Sequence, residues 1–137
     1  MSSTDLELKI HLALEVSAEL QVSVPARFSY MSADPYAVHA SFYLTPDRLV
    51  HWVFARDLLD QGMYEAAGIG DVRIAPIDGG LGFLFSIELE SSHGYARLEG
   101  PVAPVKEWIA TTYEAVPAGS ETAPLDTNRF FEEHSGR

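Results

Sequence analysis

The chain has no cysteine. That absence excludes disulfides, thiolate zinc sites, iron–sulfur clusters and cysteine nucleophiles, and it suits a reducing cytoplasm. Positive charge is scarce: nine Lys and Arg stand against twenty Asp and Glu, a net charge of −11. Such a balance repels a phosphate backbone at a distance. Long apolar runs are missing too, and nothing approaches the roughly eighteen residues of a membrane span. Met1 to Lys9 alternates charge and leucine, without the apolar stretch of a secretory signal. What is present suffices for a packed interior. Hydrophobic residues make up 47% of the chain and aromatics 11%, which excludes disorder of the whole. At 137 residues the expectation is a single cytoplasmic domain spanning 1–137.

The N-terminal part carries the clearest pattern. Leu6, Leu8, Ile10, Leu12, Leu14 and Val16 alternate with Asp5, Glu7, Lys9, His11 and Glu15. Period two over this length predicts a long strand with one wet face and its even residues buried. The alternation resumes at Leu20, Val22, Val24, Phe28 and Tyr30, with Pro25 inside the run. Proline cannot donate to a ladder, so a bulge or an edge position is expected there. Ser32 to Tyr36 reads as a turn, in which Asp34 can cap its own backbone and Pro35 fixes φ. Val38 to Leu44 and Leu49 to Phe54 are strands joined by a turn at Thr45-Pro46-Asp47-Arg48.

A short helix follows over Ala55 to Gln61, stopped by Gly62 in the left-handed conformation that ends many helices. Gly68 and Gly70 loosen the chain before a strand at Val72–Ala75. Gly79-Gly80 marks a turn, and strands follow at Phe83–Glu90 and Tyr95–Leu98. Then the period changes. Val102, Val105, Ile109, Thr112, Tyr113 and Val116 fall within one arc of a helical wheel, so a helix spans 102–116 up to Pro117. A linker over 118–124 leads to a short last helix capped by Asp126. Seven strands followed by packing helices predict an α+β domain with a mostly antiparallel sheet.

No motif with geometric demands is met. His11, His39, His51, His93 and His134 sit on different predicted elements, without the spacings that put two metal ligands on one face. Asp57 with Asp60, and Glu88 with Glu90, are spaced as pairs, but an acidic surface offers such spacings by chance. There is no Gly-x-Ser-x-Gly elbow. Gly68-Ile69-Gly70-Asp71-Val72-Arg73 has arginine where a dinucleotide fingerprint needs its third glycine, and it precedes a strand instead of opening a helix. The expectation is no enzyme, no cofactor and no metal. Arg27, Arg48, Arg56, Arg73, Arg97 and Lys106 are scattered among acidic neighbours, so a nucleic-acid groove is not expected either.

Aromatic residues remain as contact candidates. Trp52 and Phe54 share one strand face and read as core. Trp108 sits at the flank of the helical stripe, and adjacent Phe130 and Phe131 diverge by about 100° on a helix. These three are the candidates for a partner or oligomer interface, with a homo-oligomer, a trimer, expected from the open sheet edges.

A resemblance joins these segments. Asp34-Pro35-Tyr36-Ala37-Val38-His39-Ala40-Ser41-Phe42, then Trp52-Val53-Phe54-Ala55-Arg56-Asp57-Leu58-Leu59, Gly62, Gly70-Asp71-Val72-Arg73 and Val116-Pro117-Ala118-Gly119-Ser120-Glu121 resemble the SsgA-like family of actinobacterial sporulation and cell-division regulators. Within it the chain is most similar to the SsgB branch. The motif residues carried over are Asp34, Pro35, Tyr36, Trp52, Phe54, Arg56, Asp57 and Gly62. The resemblance implies a curved, Whirly-like antiparallel sheet with helices packed at one end. It also implies a non-enzymatic protein that goes to the division septum and recruits the tubulin-like GTPase FtsZ, in cooperation with an SsgA-type regulator. No direct membrane insertion is expected. The alternative that a Whirly-like fold raises, single-stranded nucleic-acid binding, conflicts with the charge.

Overall fold

The structure is a computed structural model that describes residues 5–77, 82–92 and 94–121. Its elements are β1 (Asp5–Ser17), β2 (Leu20–Met31), β3 (Ala37–Thr45), β4 (Arg48–Ala55), α1 (Arg56–Gly62), β5 (Val72–Pro76), β6 (Leu84–Ser91), β7 (Gly94–Pro101) and α2 (Val102–Ala115). The strands form one antiparallel sheet in the order β4-β3-β2-β1-β7-β6-β5. Two meanders, β1 to β4 and β5 to β7, are thus sewn together where β7 lies beside β1. The α+β expectation holds, with seven strands and one long helix. The last helix predicted after Asp126, with Phe130 and Phe131, lies outside the described residues, as does the Gly79-Gly80 turn.

The sheet is curled. β4 and β5 are its opposite edges, which a flat sheet would hold about 29 Å apart. Yet α1 touches both of them, and residue Gly62 of α1 lies against Ile74 of β5. The sheet therefore folds into a half-barrel whose open side α1 bridges. Inside the trough lie Leu12, Val24, Phe28, Val38, Ala40, Phe42 and Phe54 from one meander, and Ile74, Phe85, Ile87 and Leu98 from the other. Helix α2 closes one end with Val102, Val105, Trp108 and Ile109. Phe28 is the hub: Phe42 and Phe54 meet it edge-on at 6.4 Å, and Trp108 lies 6.1 Å away.

Two local expectations need correction, and a third is narrowed. The even side chains of β1 do face the trough, but only Leu12 is fully buried, and Val16 is 55% exposed. The β1–β2 hairpin outruns its neighbours: β7 pairs with β1 only at Ala13 and Leu14, and β3 pairs with β2 only over Ala26–Ser29. Its tip therefore has no layer above it. Of the bulge or edge position expected at Pro25, the edge position holds. The proline pairs in register with His11 and stands just beyond the last β3 partner, where β2 is locally an edge and no ladder donor is missed. Gly62 does not stop α1 with a left-handed turn. The helix runs through it to Met63, whose φ is −76°. Glycine stands there because a Cβ would lie 2.4 Å from Ile74 Cγ2.

Candidate functional site

Several of the motif residues meet around one buried cation, Arg56. Period-two alternation carries Val50, Trp52 and Phe54 of β4 toward the trough, and Arg56 follows in the same phase as the chain turns into α1. Its side chain is 1% exposed. Burying a guanidinium demands partners for its charge and its N–H groups. One terminal nitrogen donates to the carbonyls of Thr112 (2.9 Å) and Val116 (2.8 Å) at the end of α2, where Thr112 also accepts from the Val116 backbone N–H. The other donates to Glu121 Oε2 at 2.9 Å. The flat faces of the group are covered by rings: Tyr113 at 3.9 Å and Tyr30 at 4.9 Å from the guanidinium carbon.

Around it the Asp34-Pro35-Tyr36 turn is tied down from two sides. The Tyr30 hydroxyl donates to the Pro35 carbonyl at 2.9 Å, and the Arg56 backbone N–H donates to the Tyr36 carbonyl at 2.8 Å. Asp34 was expected to cap its own backbone; its carboxylate instead accepts from His39 Nε2 at 3.0 Å. Asp57, in the first turn of α1, accepts from the Tyr113 hydroxyl at 3.1 Å. Gly119, at φ +87°, turns the chain back so that Glu121 reaches Arg56, and the Gly119 N–H donates to Glu121 Oε1 at 2.9 Å.

The electrostatics follow the packing. Burial pushes the Tyr113 hydroxyl far above its ordinary pKa of 10.0, and the hydrogen bond it donates to Asp57 adds to this. Burial also raises Tyr30, with Arg56 pulling the other way. Burial alone would raise Glu121, but hydrogen bonds from its own backbone N–H, from Arg56 and from Gly119 outweigh that and hold the carboxyl below its ordinary 4.5. A cation with its terminal nitrogens bonded and both faces covered is a clamp. It fixes the turn before β3, the start of α1 and the end of α2 as one unit. Among the described residues no group of three or more His, Asp or Glu side chains could hold a metal ion.

The remaining motif residues support this junction or lie beyond it. Phe54 is buried against Phe28. Trp52 is half-buried and lines, with Leu14, Phe42, Leu44, Val50 and Leu98, an apolar hollow of about 360 Å³ at the end of the trough that α2 leaves open. Tyr36 is exposed. Of the three contact candidates, Phe130 and Phe131 lie outside the described residues. Trp108 is 6% exposed and packs in the core, so its ring faces Phe28 and not a partner. On the wheel it lies only about 40° beyond Thr112, and the curled sheet wraps round the helix far enough to cover it.

From the sequence Arg56 reads as the start of a short helix and as a motif residue, with no anion partner assigned. The signal was there, since Arg56 continues the inward phase of β4, and an Arg in such a place needs an anion. Tyr30, Tyr113 and Glu121 were missed because they are brought in from other elements.

The comparisons agree with this architecture. Residues 24–121 match the family described as Streptomyces sporulation and cell division protein, SsgA. The sporulation-specific cell division protein SsgB of Thermobifida fusca is 40% identical over 133 residues, covering 97% of this chain and 96% of its own. A solved structure described by mutations in SsgB that correlate to longitudinal cell division during sporulation of Streptomyces coelicolor superposes with a TM-score of 0.82 at 42% identity, over 88% of this chain and 95% of that one. The crystal structure of an SsgA-like sporulation-specific cell division protein from Thermobifida fusca gives a TM-score of 0.83 at 39% identity, over 98% of both chains. The names in this group are those of cell-division proteins and not of known enzymes. Both the sequence match, which spans the Arg56 junction, and the shared half-barrel place this chain in the SsgA family of sporulation and cell division proteins.

Proposed function

We propose that the chain is a non-enzymatic regulator of sporulation-specific septation, which goes to the division septum and recruits FtsZ by non-covalent contact together with an SsgA-type regulator. The observation that carries this reading is its membership of a family whose relatives, matched over nearly their full length, are named for sporulation-specific cell division. The Arg56 junction supports it, because its charged and phenolic groups are committed to one another and make a rigid scaffold instead of a reaction centre. No helix among the described residues is long and apolar enough to cross a membrane; reaching the septum through another protein is part of the proposal. Self-association into a low-order oligomer, a trimer, is part of the proposal. The free edge of β4 favours it, with Leu49 and Val53 exposed beside it.

The test is a pull-down from a sporulating actinobacterium with the purified chain as bait. Recovery of FtsZ and an SsgA-type protein supports the reading; recovery of nucleic acid or metabolic enzymes alone overturns it. Light scattering on the same preparation checks the oligomer, and a monomer at every working concentration would remove that part.

A further inference from the structure

The face of the sheet turned away from α2 carries a row of polar side chains, two of them the cations Lys9 and Arg27, that the folded chain assembles from four strands. The register pairs Lys9 of β1 with Arg27 of β2, Arg27 with Ser41 of β3, and Ser41 with His51 of β4. All four are odd-numbered, opposite in phase to the core residues Leu12, Val24, Phe28, Phe42 and Phe54. They therefore stand side by side across the strands on one outer face. His11 and Tyr43 flank the row. They line with Lys9, Pro25 and Arg27 a shallow hollow of about 300 Å³. On the other flank His39 lies 5.6 Å from His51, ring to ring.

Two features set this row apart. Lys9 and Arg27 are directly opposed like charges, an arrangement that costs stability in a sheet, in a chain whose net charge is −11. The anions nearby do little to offset it. Glu7 approaches Arg27 only to 3.7 Å, Asp34 is engaged with His39, and Lys9 has no ion pair among the described residues. Arg27 Nε is buried and has no hydrogen-bond partner among the described residues, a property it shares with Arg56 Nε. By contrast Arg73 and Arg97 are each held by two or more glutamates.

We infer that this outer face docks an extended acidic segment of a partner protein, laid across β1 to β4. Strand spacing of about 4.8 Å makes the row about 14 Å long, too long for a single phosphate. An extended chain presents alternate side chains on one side every ~6.8 Å, so three acidic residues at alternate positions span the length of the row. Ser41 is buried between its neighbours, and its hydroxyl lies 3.3 Å from His51 Nδ1. The inference stands independently of the septation reading.

The experiment is fluorescence anisotropy at low salt with a labelled peptide of alternating glutamate and serine. The unmodified chain is expected to bind it saturably, with an affinity that falls as salt rises. Lys9→Glu with Arg27→Glu should weaken binding by about tenfold or more. Arg48→Glu with Lys106→Glu, which changes the net charge by the same amount elsewhere, should weaken it by no more than about twofold. Circular dichroism checks the fold of each variant, and Lys9→Gln with Arg27→Gln serves if the double glutamate variant does not fold. No saturable binding, equal losses in the two double variants, or tighter binding of inorganic phosphate or single-stranded DNA than of the peptide would each overturn the inference.

Discussion

The guanidinium carbon of Arg56 lies 3.9 Å over the ring of Tyr113, and the hydroxyl of that same tyrosine donates to Asp57, the next residue after Arg56. Two neighbouring residues of α1 thus hold one side chain of α2 by its face and its tip. This contact, with the bonds to Thr112, Val116 and Glu121, couples the helices across the trough.

Arg56→Ala should be among the most damaging single substitutions in the chain. It strands Glu121, which is 11% exposed at its side chain, together with the Val116 carbonyl. Removing one partner of a buried ion pair costs about 3–5 kcal/mol. Urea unfolding of the variant should show a midpoint shift of that size, and a change below about 1 kcal/mol would mean that the cation is not a clamp.

Acid should weaken the same contact. Glu121 has a carboxyl held below its ordinary value in the folded state, so its contribution is present above that value and is lost as pH falls through the lower folded one. The unmodified chain should therefore lose stability relative to Glu121→Gln as pH drops below about 4.5. Parallel stability curves for the two proteins across that window would contradict the ion pair.

Gly62→Ala tests the closure of the half-barrel. The added methyl would meet the side chain of Ile74 across the gap between α1 and β5. Overpacking of this kind costs about 1–3 kcal/mol. Pairing it with Ile74→Ala should recover part of the loss, because the second change makes room for the first. Additive losses would show that the approach of α1 to β5 is not what requires glycine.

Much of the fold was legible because it rests on local rules. Charges alternating with leucine announced β1, Pro46-Asp47 announced the β3–β4 hairpin, and the spacing Val102, Val105, Ile109, Thr112 announced α2. What stayed hidden depends on curvature. Whether Val16 is covered, whether Trp108 is enclosed and why Gly62 must be glycine are set by how far the sheet curls and which strands run short. The Arg56 site was hidden for a related reason. Its partners Tyr30, Tyr113 and Glu121 lie 26, 57 and 65 positions away in the sequence, and nothing in the spacing of any one segment joins them. The same holds for Lys9, Arg27 and His51, scattered along the chain yet aligned by register.

The central claim is that this protein acts at the septum by bringing FtsZ there. The most direct measurement is simultaneous imaging of a fluorescent fusion of this chain and labelled FtsZ in sporulating hyphae, with and without the chain. The account predicts that the fusion marks each future septum before FtsZ assembles, and that FtsZ ladders fail to form when the chain is removed. Normal FtsZ ladders and septa in its absence, or a fusion that reaches septa only after FtsZ, would contradict it.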